Sequence, residues 1–337
     1  MTTETSNPGH LLQLGLGFWS ARTFLSAVEL DVFSVLADGP LTEAQLRERL
    51  ELHPRSSRDF FDALVALGVL RRVADKYSNT AETAAFLDRA KPSYIGGLFE
   101  MAARRLYPLW THLTEAVRTG QLQNEAKSGG DPFAQMYSSP EGLRSFLAAM
   151  TGISMGSARI IAAKFSWQSC KSFVDIGGAQ GGIAAQIALA HPHLNGTVFD
   201  LPQVEPVCKE YLRSLDLNAR VRFQGGDFFS QPLPGADVLI MGHILHDWNL
   251  EQKLALLRKA HAALPEGGAL IVFDAMIDDD RSTNAAGLLM SLNMLLETPG
   301  GFDYTPADCR GWLASVGFRD MSVEPLGPTE SMVIARK

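Results

Sequence analysis

The stretch Phe173-Val174-Asp175-Ile176-Gly177-Gly178-Ala179-Gln180-Gly181-Gly182 constrains the fold of this chain more than any other. An apolar run, Ser172 to Ile176, reads as a buried strand. It ends beside an acid and breaks into glycines, and Ile183 to Ala190 follows as an alanine-rich helix. Strand, glycine turn and helix bring a small ligand against bare backbone at a helix N-terminus. The nicotinamide fingerprint puts no weight on an acid before the glycines, and a carboxylate beside a pyrophosphate would repel it. Asp175 therefore favours a ligand carrying an amino group, such as S-adenosylmethionine (SAM), over a dinucleotide. A glycine turn with no ligand is the plainer alternative.

Beyond Ser172 strands and helices alternate. Thr197 to Asp200, Val221 to Phe223, Asp237 to Met241 and Ala269 to Phe273 read as strands, with an amphipathic helix over Leu254 to Ala263. Alternation of this kind gives a parallel sheet whose ligands bind at the strand C-terminal ends. Met321 to Glu324 and Met332 to Ala335 form a closing hairpin around Gly327-Pro328, which suits a class I methyltransferase sheet. Asp175, Asp200 and Asp227 then fall at successive strand ends. An ionised Asp200 can accept both ribose hydroxyls, and Asp227 can accept an adenine amino group while Phe228 packs on the base. Each alone is as well read as an Asx turn or helix cap; together, behind the glycine turn, they point to SAM.

Ahead of this domain the pattern is helical. His10 to Ala37 carries Leu14, Phe18, Ala21, Leu25, Val28 and Val32 at helical spacing, with Leu16, Phe24 and Phe33 off that stripe, so more than one face needs covering. Thr42-Glu43-Ala44-Gln45 has capping-box form, Pro54 opens a further helix that Gly68 closes, and Leu70 to Val73 with Tyr77 to Asn79 make a hairpin. This is a winged-helix pattern. Arg55 and Arg58 on its would-be recognition helix are offset by Asp59 and Asp62, and the net charge of −7 argues against nucleic acid. From Tyr94 to Phe165 helices continue, interrupted by a polar loop at Gln121 to Pro132. The domains expected are 1–95, winged-helix-like; 96–165, a helical linker; and 166–337, a SAM-binding domain. Cys170, Cys208 and Cys309 have no metal-type spacing, the N-terminus lacks a signal-peptide pattern, and no apolar run approaches the roughly 20 residues of a membrane span. The expectation is a soluble, cytoplasmic protein with no membrane or nucleic-acid partner.

After the fourth strand of the second domain comes Gly242-His243-Ile244-Leu245-His246-Asp247-Trp248. A histidine at a strand end on the ligand side is a candidate general base, although a lone one is usually only a polar loop residue. From Leu11 to Lys337 the chain resembles the small-molecule O-methyltransferases that include caffeate, isoflavone and N-acetylserotonin O-methyltransferases. The resemblance rests on Val174-Asp175-Ile176-Gly177-Gly178, Phe199-Asp200-Leu201-Pro202, Gly226-Asp227-Phe228-Phe229, Leu245-His246-Asp247-Trp248, and Pro299-Gly300-Gly301 ahead of Thr305.

The resemblance implies that His246 takes the proton of the acceptor hydroxyl and that Asp274 and Asp303 hold its imidazole. Both positions are commonly Glu in the family. The shorter side chains lose roughly 1.2–1.5 Å of reach, so either the backbone closes in or one carboxylate misses His246. The family's Glu-Arg-Thr is Asp303-Tyr304-Thr305 here, and a basic residue often found near SAM is Gly242, with His243 beside it as a partial substitute. SAM contacts are implied for Asp175, Gly177, Gly178, Asp200, Leu201, Asp227, Phe228, Gly242 and His243. Phe146, Met150, Met290, Met294 and Thr298 are implied to line the acceptor pocket, where thioethers would suit a flat aromatic ring; the core is as good a reading for Met290 and Met294. The resemblance also implies that 1–95 is a dimerisation domain forming a homodimer, that 96–165 includes an acceptor-pocket region, and that 166–337 is the methyltransferase domain, acting on a small-molecule acceptor of phenolic type with no metal. A metal-dependent C-methyltransferase using His243 and His246 is an alternative, for which the sequence offers no third ligand at a convincing spacing. A SAM-binding relative that no longer methylates and a non-enzymatic SAM- or DNA-binding regulator are others.

Overall fold

The computed structural model describes residues 7–91, 93–129, 137 and 139–337, so 130–132 of the expected polar loop lie outside the described residues. The chain divides into two compact units, Met1–Pro108 and Leu109–Lys337. The region 96–165 is thus not a body of its own; its first residues belong to the first unit and the rest to the second.

In the first unit, the single helix expected over His10–Ala37 is broken into Gly9–Gly15, Gly17–Glu29 and Val32–Val35. The second break has a local cause. Leu30 closes its helix by donating its N–H to Ser26, and Asp31 turns left-handed at φ 59°. The Asp31 carboxylate then accepts from Ser34 Oγ at 2.7 Å and from Arg89 Nε at 3.0 Å, which fixes the corner. Leu25, Ala27, Val28, Val32 and Phe33 turn inward, while Leu11, at 71% exposure, and Trp19, at 60%, face outward. Thr42 and Gln45 form the expected capping box. The next helix, Ser57–Ala66, starts after Pro54 rather than at it. Strands β1 (Leu41–Thr42), β2 (Leu70–Val73) and β3 (Lys76–Asn79) form an antiparallel sheet in the order β1-β3-β2. Asp62 accepts from Tyr77 Oη at 2.6 Å and pairs with Arg72, so an acid of the would-be recognition helix is tied to the wing.

The second unit is built on β4 (Ser172–Ile176), β5 (Asn195–Asp200), β6 (Val221–Gly225), β7 (Val238–Gly242), β8 (Ala269–Asp274), β9 (Arg319–Pro325) and β10 (Ser331–Arg336), in the order β6-β5-β4-β7-β8-β10-β9. Neighbours from β6 to β8 are parallel; β10 runs antiparallel to β8 and β9. The alternation of the strands explains why both faces are covered. Phe173, Val238, Ile240, Ile271 and Phe273 point into one core, whereas Val174, Ile176, Leu239, Met241, Leu270 and Val272 point into the other. The helix Gly182–Ala190 is apolar nearly all round and buried accordingly.

Among the described residues one helix, Pro140–Lys164, is long and apolar enough to cross a membrane, which the sequence reading did not anticipate. Its Leu143, Leu147, Ala158, Ile161 and Ala162 lie in the core of this unit. The chain order reverses between β4 and β7, and that crevice at the strand C-terminal ends is where ligands bind in open α/β sheets.

Candidate active site

The glycine turn after β4 is shaped by close approach. Gly177 has φ 67°, and a Cβ there would lie 2.3 Å from Ile244 Cδ1. Gly178 rests on Asp175, whose carboxyl carbon would be 2.7 Å from an added Cβ. Ala179, standing in place of a glycine, still adopts φ 52°. Its N–H donates to Asp200 Oδ2 at 2.8 Å, and Leu201 N–H donates to the other oxygen at 2.7 Å. One acid at the end of β5 therefore holds the turn after β4, and each oxygen keeps a second lone pair for a ligand hydroxyl. Burial pushes Asp200 up to about 6.

Asp175 is buried beneath the turn, and burial raises it to about 7, with partial relief from the Ala184 N–H. Its Oδ2 has no hydrogen-bond partner, and neither has Thr151 Oγ1, which packs against Gly182 at the helix N-terminus. Two buried polar atoms beside a glycine cradle fit a polar ligand such as SAM. Asp227 Oδ1 accepts from Phe229 N–H at 2.8 Å, an Asx turn. Burial would raise it, but this bond and those from Ser230 outweigh burial and lower it. Phe228 stacks edgewise on Phe229 and Trp248 and reaches toward Gly177.

Gly242 has a packing reason. A Cβ there would sit 2.1 Å from Phe273 Cε1, so the ring of β8 fills the space that a side chain would need. His243 follows at φ 54°, its Nε2 3.3 Å from Glu330 Oε1 and its Nδ1 4.0 Å from Asp274 Oδ1. Glu330 in turn accepts from Ser157 Oγ.

His246 lies on the short turn Leu245–Asp247 and is buried. Its Nδ1 is 3.3 Å from Asp303 Oδ1 and 3.8 Å from Asp274 Oδ1; its Nε2 is 3.6 Å from Asp247 Oδ1. The shorter acids thus divide: Asp303 comes within contact distance, and Asp274 stops short. The reason for the second is Tyr304, whose buried hydroxyl donates to Asp274 Oδ2. Burial disfavours the charged imidazole, but Asp274, Asp303 and Asp247 outweigh it and raise His246 to about 10. Burial also lifts Asp247 to about 6 and raises Asp274, against the pull of His246.

His243, His246 and Asp274 each present one potential ligand atom within 4.8 Å of the others, so the fold supplies the third group that the sequence did not reveal. Bonds of about 2.1 Å require ligand atoms about 3–3.5 Å apart, and His246 Nδ1 faces Asp303 as well. The cluster is better described as charge pairs.

The proposed acceptor residues are not equivalent. Phe146, Met150 and Met290 are half-buried, and Phe146 packs on Tyr137 and the core. Met294 is buried. Thr298 Oγ1 donates to Met294 O at 2.9 Å and accepts from Gly301 N–H at 2.7 Å, so its hydroxyl is engaged in shaping the loop. Asp247, Tyr304, Glu330 and Lys253 were not foreseen. Lys253 had a signal: it shares the buried stripe of Leu256, Leu257 and Ala260.

A seven-stranded sheet closed by an antiparallel hairpin, with acids at the ends of β4 and β5 around a glycine turn, defines a class I SAM-dependent methyltransferase. The O-methyltransferase domain family matches residues 110–319, and the O-methyltransferase dimerisation domain family matches residues 12–89. The chain belongs to the SAM-dependent O-methyltransferases of this family, and its first unit carries the dimerisation domain. It is 47% identical over 336 residues, covering 99% of this chain and 98% of the relative, to the tetracenomycin polyketide synthesis 8-O-methyl transferase TcmO of Streptomyces glaucescens. Against the N,N-dimethyltransferase OxyT of Streptomyces rimosus identity is 39%, over 93% of this chain and 91% of that one. Human N-acetylserotonin methyltransferase in complex with SAM superposes with a TM-score of 0.90 at 29% identity, covering 100% of this chain and 99% of that one.

Proposed function

We propose that this enzyme, a homodimer in the cytoplasm, methylates a phenolic hydroxyl of a polycyclic aromatic metabolite, with His246 as general base. The observation that carries the reading is the placement of Asp303 and Asp274 on the Nδ1 side of a buried imidazole at the strand ends. A proton on Nδ1 faces those two carboxylates, against the single Asp247 at 3.6 Å from Nε2, which favours the Nε2 lone pair as the one to receive the hydroxyl proton. Asp200 and Leu201 would hold the ribose, Asp227 and Phe228 the adenine, and the Gly177-Gly178 turn the amino-acid end. When bound, SAM supplies a methyl group already activated on a sulfonium, whose positive charge opposes protonation of His246.

The free site holds its imidazole protonated, because its pKa is near 10. His246 must lose that proton before it can take another, and an added cation in this acid-rich crevice favours the loss. What remains for the chain is alignment and exclusion of water, worth up to ~7–11 kcal/mol. The similarity to TcmO supports a polyketide-type phenol, and the half-buried Phe146, Met150 and Met290 suit a flat ring.

The test is transfer from labelled SAM to a panel of polycyclic phenols, simpler phenols and aromatic amines, with and without chelator. Labelled ether product that persists in chelator is expected. Labelled amine product alone would replace the hydroxyl acceptor by nitrogen, as the name of OxyT suggests for that relative. His246→Ala should lower kcat by about 10²–10⁴-fold while SAM affinity stays within a few-fold. Equal loss of both would make His246 structural.

A further inference from the structure

Lys253 is fully buried, yet no carboxylate pairs with it within salt-bridge distance among the described residues. It lies in the first turn of the helix Leu250–Ala263, directly after the turn that carries His246. Its ammonium donates to Trp248 O at 2.6 Å and to Phe302 O at 3.0 Å. It also stands 3.6 Å from the centre of the Phe302 ring, with the rings of Tyr304 and Trp312 farther out. Two carbonyls and one aromatic face meet the three N–H donors of a lysine.

The two carbonyls have a meaning. Trp248 ends the His-Asp-Trp turn, and Phe302 immediately precedes Asp303. The same two segments touch at a second place: a Cβ on Gly301 would lie 2.5 Å from His246 O and 2.7 Å from Asp247 O. The loop carrying Asp303 is therefore pressed on the base turn at the glycine and clasped to it at the lysine.

We propose that Lys253 is a positioning residue for methyl transfer, its buried ammonium fastening the Asp303 loop to the His246 turn and adding a cation, besides the imidazolium, among the acids that surround the base. The charged groups whose fields reach it are Asp274 on β8, Asp303 on the loop and Asp247 on the base turn. Burial pulls Lys253 down to about 8 while these three acids hold it up, so at neutral pH it is charged. Its position accounts for a lysine in an apolar stripe, where methionine or leucine would pack at lower cost. The inference rests on the reading of His246 as base.

The experiment compares Lys253→Met, Lys253→Gln and Lys253→Arg with the parent in kcat, SAM affinity by calorimetry, thermal melting and the pH profile of kcat. Lys253 is charged below about pH 8, and a parent acid limb above that, with SAM bound, overturns the electrostatic part of the proposal. With the limb below about pH 8, removal of the cation favours protonation of His246, so the limb of the Met and Gln variants should move to higher pH by at least half a unit. Their plateau kcat should fall 10- to 100-fold with SAM affinity within threefold. Arg, which keeps the charge, should hold the limb in place and recover part of kcat. The Gln variant, which can still donate to a carbonyl, carries the test if the Met variant does not fold. An unmoved limb in the Gln variant, or loss of activity only in proportion to lost folding or SAM binding, overturns the proposal. His246→Ala measured alongside separates the readings: full activity there sinks the base assignment, whereas full activity in Lys253→Gln sinks the lysine alone.

Discussion

Replacing Asp303 by Asn removes one negative charge 3.3 Å from His246 Nδ1 and keeps nearly the same volume. At an effective dielectric constant of about 20, a unit charge pair at that distance interacts by about 5 kcal/mol, which sets a ceiling of roughly 3–4 pKa units. Asp274 and Asp247 remain, and the amide still offers an oxygen to the imidazole, so a fall of roughly 1–3 units is expected. Because the base must be unprotonated to work, the acid limb of the kcat profile should move to lower pH by the same amount. Plateau kcat should fall, since the imidazolium formed during transfer loses a counter-charge. Stability gives a second reading. The folded pKa of about 10 lies above the ordinary 6.5, so the contribution of His246 is complete below pH 6.5 and is lost as pH rises through 10. The variant should melt below the parent at pH 6, and the gap should close toward pH 10. The assay is initial rate under saturating SAM and acceptor in a series of buffers of constant ionic strength. An unmoved limb, or one that moves upward, would refute the assignment of Asp303 as a partner of the base.

Two further expectations concern the cofactor side. Asp175→Asn removes a buried carboxyl whose folded pKa, about 7, is raised above its ordinary 3.8. The parent is penalised increasingly as pH climbs from about 4 to 7, so the melting advantage of the Asn variant should be larger at pH 8 than at pH 5; a constant difference would contradict the burial argument. Gly242→Ala drives a methyl into the Phe273 ring, and overpacking of this kind costs roughly 1–3 kcal/mol, read as a lower urea midpoint. An unchanged midpoint would mean that Phe273 relaxes freely and that packing does not explain the glycine.

Much of the methyltransferase unit was legible because its signals are local. A glycine turn, acids at strand ends and period-2 apolar runs fix backbone and burial within a few residues of one another. The helix break at Asp31 was not, since the Arg89 that helps to hold the corner is distant in sequence. The division of labour between Asp274 and Asp303 was equally hidden: each was named from resemblance, but only the fold brings the Tyr304 hydroxyl onto Asp274. Gly242 carries no mark of the Phe273 ring that abuts it. Thr298 was named as a lining residue from resemblance alone, and nothing near it in sequence marks that its hydroxyl bonds Met294 O and the N–H of Gly301.

The helix Ala285–Glu297 bears Met290 and Met294, and between them Ser291 accepts the backbone N–H of Asp303 at 3.2 Å. The surface proposed to choose the acceptor and the loop proposed to tune the base are therefore one connected piece of chain. This helix is not free to vary on every face: Ser291 seats Asp303 and Thr298 seats Gly301, a seam that new side chains must respect. A transplanted helix that ends before Gly301 exchanges the acceptor surface but inherits a mismatched seat for Asp303. One that runs through Tyr304 carries the seat of Asp303 with it, together with the hydroxyl that bonds Asp274.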